Sequence, residues 1–224
     1  MANRYWVGGA GTWNTTSTTN WSTVSGGAAG ASVPTSADSV FFDQAGTYTV
    51  TLTGALACLD FTVSAGTVTF ADGISPTFSV YGSFTLAAAT VWNTTAAISY
   101  LATTTGNTIT TNGVAIGATT WTFNSTTGDW SLGSALTFKT AILATINFTA
   151  GSFSTNNFNV SNVSVINCTG TSTRSVSLGS STITYSTTYL SGNSTLNVAG
   201  SGFTVNAGTS TINMLRGLNN VVLN

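Results

Sequence analysis

The 224-residue chain contains no histidine and no glutamate, and charged residues make up only 4% of it. The absence of histidine removes the usual general base, the most common metal ligand and every Ser-His or Cys-His nucleophile pair. The carboxylates are Asp38, Asp43, Asp60, Asp72 and Asp129. Because aspartates at turns and strand ends mostly cap backbone amides, we expect no catalytic carboxylate pair among them. The sequence therefore predicts a protein that is not an enzyme.

Positive charge is equally scarce. Lysine and arginine total four: Arg4, Lys139, Arg174 and Arg216. Neutralisation of phosphates supplies most nucleic-acid affinity, so we expect no nucleic-acid binding. The glycine-rich GGAGTW at residues 8–13 lacks the lysine of a phosphate-binding loop, and no cofactor is predicted. With a net charge of −1, little repulsion keeps copies apart, which favours a tight homo-oligomer.

The sequence has few cysteines and no long apolar run. Cys58 and Cys168 each adjoin alternating apolar residues, so we interpret both as buried thiols rather than as a disulfide. No stretch of about 18 apolar residues predicts a membrane span, and the opening MANRYWVGG lacks the pattern of a signal peptide. We therefore expect synthesis in a cytoplasm without classical secretion.

What the sequence does contain is a series of short alternating runs. TWTFN, DWSLG, ALTFK and TINFT, between residues 120 and 149, each place large apolar residues two positions apart. This spacing gives a strand one apolar face and one hydroxyl-rich face. The breaks between the runs are only a few residues long, and no helix of ordinary length fits between them. The sequence predicts an all-β protein.

The spacing of these runs favours a solenoid. Glycine-punctuated units such as residues 195–215, TLNVAGSGFTVNAGTSTINML, look like imperfect coils of about twenty residues. In a right-handed parallel β-helix, coils stack about 4.8 Å apart, with apolar residues inside and Asn, Ser and Thr at the corners. The alternative is an antiparallel jelly-roll sandwich, whose hairpins favour Asn-Gly and Asp-Gly turns; only Asn112 and Asp72 begin such pairs. We predict the parallel β-helix, with mainly parallel pairing and about seven coils of 20 to 25 residues.

The N-terminal part has a different texture, and we divide the chain into residues 1–46 and 47–224. The first range is rich in Trp and Gly and predicts a cap or attachment segment, and the second predicts the β-solenoid. Three of the six tryptophans, Trp6, Trp13 and Trp21, lie in the first range. We expect them to pack against the end of the core; the alternative is exposure as contacts for a partner protein or a glycan.

Several motifs carry a resemblance to a known group of proteins. RYWVGGAGTWNTTSTTNWS at 4–22 is followed by SVPTSADSVFFD at 32–43 and by Thr-rich coils such as residues 120–138. This order resembles β-rich proteins of tailed bacteriophages, which share a Trp and Gly opening, a P-x-x-x-D-x-V-x-F strand and Thr-rich coils. The coils are also similar to those of autotransporter-like and adhesin β-helices. The resemblance implies a non-catalytic virion structural protein of the tail-fibre, spike or capsid-fibre type.

The resemblance also implies partners and a location. We expect a homotrimer that contacts other virion proteins, possesses no membrane span, and is located on the virion after assembly in the host cytoplasm. A neighbouring subunit or further virion protein is expected to cover the apolar stretch 214–223. The alternatives are a carbohydrate-binding or depolymerising tailspike, which would contact a host-surface glycan, and a bacterial surface adhesin.

Overall fold

The computed structural model describes residues 1–186, 195–214 and 220–223, and these residues form 25 β-strands and no helix. None of the described residues belongs to a helix long and apolar enough to cross a membrane. In chain order the strands are β1 (Ala2–Trp6), β2 (Gly11–Trp13), β3 (Trp21–Ser22), β4 (Asp38–Phe42), β5 (Thr47–Leu52), β6 (Ala55–Cys58), β7 (Phe61–Val63), β8 (Thr67–Asp72), β9 (Thr77–Val80), β10 (Phe84–Thr85), β11 (Val91–Trp92), β12 (Ala97–Tyr100), β13 (Asn107–Thr110), β14 (Ala115–Ile116), β15 (Thr120–Leu132), β16 (Leu136–Phe138), β17 (Thr145–Ser154), β18 (Val160–Val163), β19 (Val165–Asn167), β20 (Arg174–Ser177), β21 (Thr182–Tyr185), β22 (Thr195–Val198), β23 (Phe203–Asn206), β24 (Thr211–Asn213) and β25 (Asn220–Leu223).

The strands stack into a parallel β-solenoid of about six turns. One 16-stranded sheet runs along the molecule, and a four-stranded sheet (β2, β5, β8, β11) and a five-stranded sheet (β14, β16, β18, β21, β24) form further faces. Among the described strands, only β1 and β3 pair antiparallel. The prediction of a parallel β-helix is confirmed, and this pairing excludes the jelly-roll alternative.

The length of a coil follows from which residues pair. Phe61 pairs with Phe84, which is 23 residues further on, and Phe84 pairs with Ile109, 25 residues further on. These distances lie within the predicted range of 20 to 25 residues. One coil is longer, because its paired residues Ile166 and Leu196 are 30 apart. Long coils use more of the chain for each layer, so the solenoid has about six turns rather than the predicted seven.

Alternation along each strand builds the core. In β8, Val68 and Phe70 point inward and are fully buried, whereas Thr67 and Thr69 point outward. Because the strands pair in register, inward residues of successive coils form ladders, such as the one listed here: Val40, Phe61, Phe84, Ile109 and Leu132. All five are at most 1% exposed. The apolar core is therefore a continuous column along the axis of the solenoid.

The corners between strands require residues that tolerate a left-handed backbone. Asn162 has a φ of 62°, and its side-chain amide donates to the backbone oxygen of Phe138 in the preceding coil, at 3.0 Å. Gly151 has a φ of 89°, and a Cβ there would lie 2.3 Å from the backbone oxygen of Ser125. Asparagine and glycine are the residues that adopt this conformation most readily. They explain the Asn-rich and Gly-rich breaks in the sequence.

The sheets continue across the boundary that we placed at residues 46 and 47. Strand β4 pairs with β1 before it and with β7 after it, and β2 pairs with β5. Residues 1–46 therefore contribute strands to the first layers of the solenoid. The tryptophan side chain of Trp21, on the antiparallel strand β3, packs edge-on against Trp6 and Trp13 and covers this end of the core.

Candidate functional site

The three N-terminal tryptophans lie inside the protein. Trp6 and Trp21 are 0% exposed, and Trp13 is 1% exposed. Trp13 packs edge-on against Phe78, with ring centroids 5.5 Å apart, and the Trp6 indole N–H donates to the backbone oxygen of Gly9 at 2.7 Å. Because their faces are covered by other rings of the chain, none of the three is available to stack on a sugar.

The aspartates bind backbone amides and hydroxyls, and several join neighbouring coils. Asp60 accepts a hydrogen bond from the Ser39 hydroxyl at 3.0 Å and another from the Ser83 amide at 2.8 Å. Since Ser39 and Ser83 belong to the coils on either side, this one carboxylate holds three layers together. Asp129 accepts the amide of Gly106 in the preceding coil. Asp43 is the exception, because it accepts from its chain neighbour Gln44.

Two carboxylates have a lowered pKa. Burial raises the pKa of Asp72, but hydrogen bonds from Thr94 and Thr95 outweigh burial and leave the pKa below its usual value. Burial likewise raises the pKa of Asp38, and hydrogen bonds from Thr35 together with the positive charge of Arg4 reverse the effect. Both groups are therefore stabilised as carboxylate anions, whereas a general acid requires a raised pKa.

The two cysteines are free thiols in the core, as the sequence predicted. Burial raises the pKa of Cys58 well above its usual value, and the negative charge of Asp60 raises it further. Burial raises the pKa of Cys168 to about 12, although Arg174 opposes this shift. A thiol with a raised pKa is not a nucleophile at neutral pH. Within the described residues, no cluster of three or more His, Cys, Asp or Glu side chains could hold a metal ion.

Arg174 is a buried cation, which the sequence did not predict. Its side chain is 1% exposed, and all five guanidinium N–H groups donate to backbone oxygens. The acceptors are the carbonyl oxygens of Cys168, Ser172, Ala199 and Ser201, which come from two successive coils. The guanidinium carbon also lies 5.4 Å from the centroid of the Phe203 ring. Arg174 therefore joins two coils through their carbonyl groups.

The surface feature that could hold a ligand is a groove of about 210 Å³ on the long sheet. Outward positions of β15, β17 and β20 form two parallel ladders along it. One ladder contains Asp129, Ser152 and Ser175, and the other contains Ser131, Ser154 and Ser177. The Ser175 hydroxyl donates to the Ser152 hydroxyl at 2.9 Å. Because serine is smaller than the Thr and Asn of neighbouring coils, the surface is recessed here.

This groove offers hydroxyl groups that can both donate and accept hydrogen bonds, together with one carboxylate acceptor. Asp129 is the single acidic side chain in its lining, so the groove lacks the pair of carboxyls used in glycoside hydrolysis. Its chemistry suits binding of an uncharged polyhydroxyl ligand. A signal for it was present in the sequence: the pattern Asp-x-Ser or Ser-x-Ser recurs every 23 residues, at 129–131, 152–154 and 175–177.

Comparison of the chain with protein-family models, with curated proteins and with solved structures finds no match.

Proposed function

We propose that the chain is a structural component of a bacteriophage virion, a fibre, spike or capsid-surface element that forms an elongated, non-catalytic β-scaffold. The observation that carries this proposal is how the polar side chains are used. Asp60, Asp72 and Arg174 all bind groups in neighbouring coils, so the residues with the strongest hydrogen-bonding capacity hold layers together. Such contacts stiffen a solenoid along its axis, which suits a spacer or support.

The resemblance of the opening motifs to phage proteins supports the same assignment. The P-x-x-x-D-x-V-x-F motif, Pro34 to Phe42, forms the turn into β4 and then β4 itself. Its aspartate, Asp38, accepts the Thr35 amide at 3.0 Å and the Thr35 hydroxyl at 2.8 Å. Val40 and Phe42 of the motif are fully buried. The motif thus has a structural role in starting the second layer of the solenoid.

We further propose a homotrimer on the virion, with the last coils covered by a neighbouring subunit or another virion protein. Low surface charge supports association, because few like charges separate the copies. Exposed apolar side chains on the last described coils, Val205 at 48% and Ile212 at 40%, support a cover at that end. Of the stretch 214–223, the half-buried Met214 is described, whereas residues 215–219 and the side chains of 220–223 lie outside the described residues.

Fractionation of the producing culture tests this proposal. Virions are purified by density gradient, and peptides of this chain are measured by mass spectrometry in the particles, the cell envelope and the medium. We expect the chain in the particles at a constant ratio to the other virion proteins, and a threefold mass for the isolated protein. Recovery in the cell envelope alone would support the surface adhesin and contradict the virion assignment.

A second candidate function, binding of a host-surface glycan, is favoured by the serine-lined groove beside Asp129. A neutral glycan would exchange hydrogen bonds with the hydroxyls of Ser152, Ser154 and Ser175. Replacing Ser154 by Tyr fills the groove, and Thr49→Tyr on another sheet is the matched control. Glycan-array binding that Ser154→Tyr abolishes and Thr49→Tyr retains would support this candidate; equal binding by both variants would exclude this groove.

A further inference from the structure

The core of the solenoid changes composition along its axis. In the earlier coils aromatic rings fill it: Phe61 stacks on Phe84 with centroids 5.1 Å apart, and Phe123 stacks on Phe148 at 5.2 Å. Beyond Phe153, the inward positions of the described strands carry mainly Val, Ile and Leu. Aliphatic side chains are smaller than the rings that they follow, so they leave space on the axis.

This space is an apolar cavity of about 220 Å³. Its walls belong to three successive coils, as the in-register residues Phe153, Val176 and Val205 show. The lining exposes no polar atom to the cavity. The one hydroxyl-bearing residue in the lining, Thr155, donates its hydroxyl to the backbone oxygen of Leu178 at 2.8 Å. Water would find no hydrogen-bond partner there, and apolar cavities of about 150 Å³ are known to stay dry and to bind benzene or xenon.

The cavity is a well that is closed at one end and open at the other. Phe153 and Ile183, from the inner coils, are 4% and 3% exposed. Val205 and Ile212 hold inward register positions in the last described coil but are 48% and 40% exposed. Three coils at the usual strand spacing give a depth of about 10 Å, so the mean cross-section is about 20 Å², close to that of one extended hydrocarbon chain.

We propose that this well binds the hydrocarbon tail of a single-chain amphiphile whose polar head is uncharged. The tail enters past Val205 and Ile212 towards Phe153, and the head remains in solvent beside the outward hydroxyls of Thr204 and Thr211. The head carries no charge because Arg174, the cation of the described chain nearest to the lining residue Phe203, has all its donors bound to carbonyl oxygens. This site is independent of the structural role proposed above.

A series of straight-chain alcohols from butanol to decanol, titrated into the full-length protein by calorimetry, tests the proposal. We expect affinity to rise about fourfold with each added methylene, the gain for burying one CH₂ group. The increase should stop near eight carbons, because an extended chain of that length spans about 10 Å at a C–C bond length near 1.5 Å. Binding should leave the mass of the protein unchanged.

Variants locate the binding. Val176→Phe and Val198→Phe each place a ring in the well and should weaken octanol binding at least tenfold while raising the melting temperature. Ser177→Phe, one residue from Val176 but on the outer face, is the matched control and should change octanol affinity less than twofold. If Val176→Phe fails to fold, Val198→Phe retains the test.

Three results would overturn the proposal. The first is absence of octanol binding at millimolar concentration to folded protein. The second is binding that grows with chain length without a plateau, or that both phenylalanine variants retain, because it would lie elsewhere. The third is binding that disappears as protein concentration and mass increase together, because a second copy of the chain would then occupy the mouth.

Discussion

Replacing Arg174 tests whether a buried cation holds two coils together. In Arg174→Met the side chain keeps its length but loses all five donors. The carbonyl oxygen of Cys168, a buried residue that now accepts two of the hydrogen bonds, loses both guanidinium donors. The carbonyls of Ser172 and Ser201 belong to exposed residues, so water can replace the guanidinium there.

These contacts set the magnitude of the expected loss. One unsatisfied buried carbonyl costs about 1–3 kcal/mol, and the rehydrated bonds add about 1 kcal/mol, so we expect Arg174→Met to lower the free energy of unfolding by about 2–4 kcal/mol. At a denaturant slope of about 2 kcal/mol per molar urea, the unfolding midpoint should fall by about 1–2 M. Arg174→Lys should lie between Met and the wild type, because an ammonium group has three donors and lacks the planar fork.

Urea titration followed by tryptophan fluorescence measures this loss. The matched control is Arg4→Met, because Arg4 also donates to backbone oxygen, that of Ser32 at 3.0 Å, but lies at the surface. We expect the control to lose less than about 1 kcal/mol. Equal losses for the two methionine variants would refute the argument that the Arg174 guanidinium joins the coils.

Three further predictions concern the carboxylates and thiols. Asp60→Asn should lower the free energy of unfolding by about 1–2 kcal/mol, because its amide group cannot accept from both flanking coils, whereas Asp43→Asn should change it by less than about 0.5 kcal/mol in the same urea titration. Since the pKa of Asp72 is lowered in the folded chain, its stabilisation is present above the unfolded pKa near 4 and is lost as pH falls through the folded value; melting temperatures from pH 6 to 2.5 should therefore fall less steeply for Asp72→Asn than for the wild type, and parallel curves would contradict this. Cys58 and Cys168 should both resist a thiol reagent at pH 8 until urea unfolds the chain, and a thiol that reacts in native buffer would show that one of them is accessible.

Much of the fold was predictable because it depends on local alternation. Val68 and Phe70, separated by one threonine, already show which face of β8 is buried, and the short breaks leave no room for helices. The number of turns was less predictable, because a coil can lengthen at its corners without changing its strands, as between Ile166 and Leu196.

The candidate sites were harder to predict because they depend on which coils become neighbours. The repeat of serine every 23 residues is visible in the sequence, but the groove exists only once Ser152 and Ser175 lie side by side. For Arg174, no local signal distinguishes it from the solvent-exposed arginine that charge alone suggests. Its burial follows from carbonyl groups of residues 168 and 199–201 that the turns bring around it.

Electron cryomicroscopy of the purified virion tests the central claim most directly, that this solenoid is a scaffold on the particle. The account predicts rod-shaped density with layers about 4.8 Å apart, three copies around a common axis and further protein over the coil that contains Val205 and Ile212. Particles that lack this density, from a culture in which the chain accumulates elsewhere, would contradict the account.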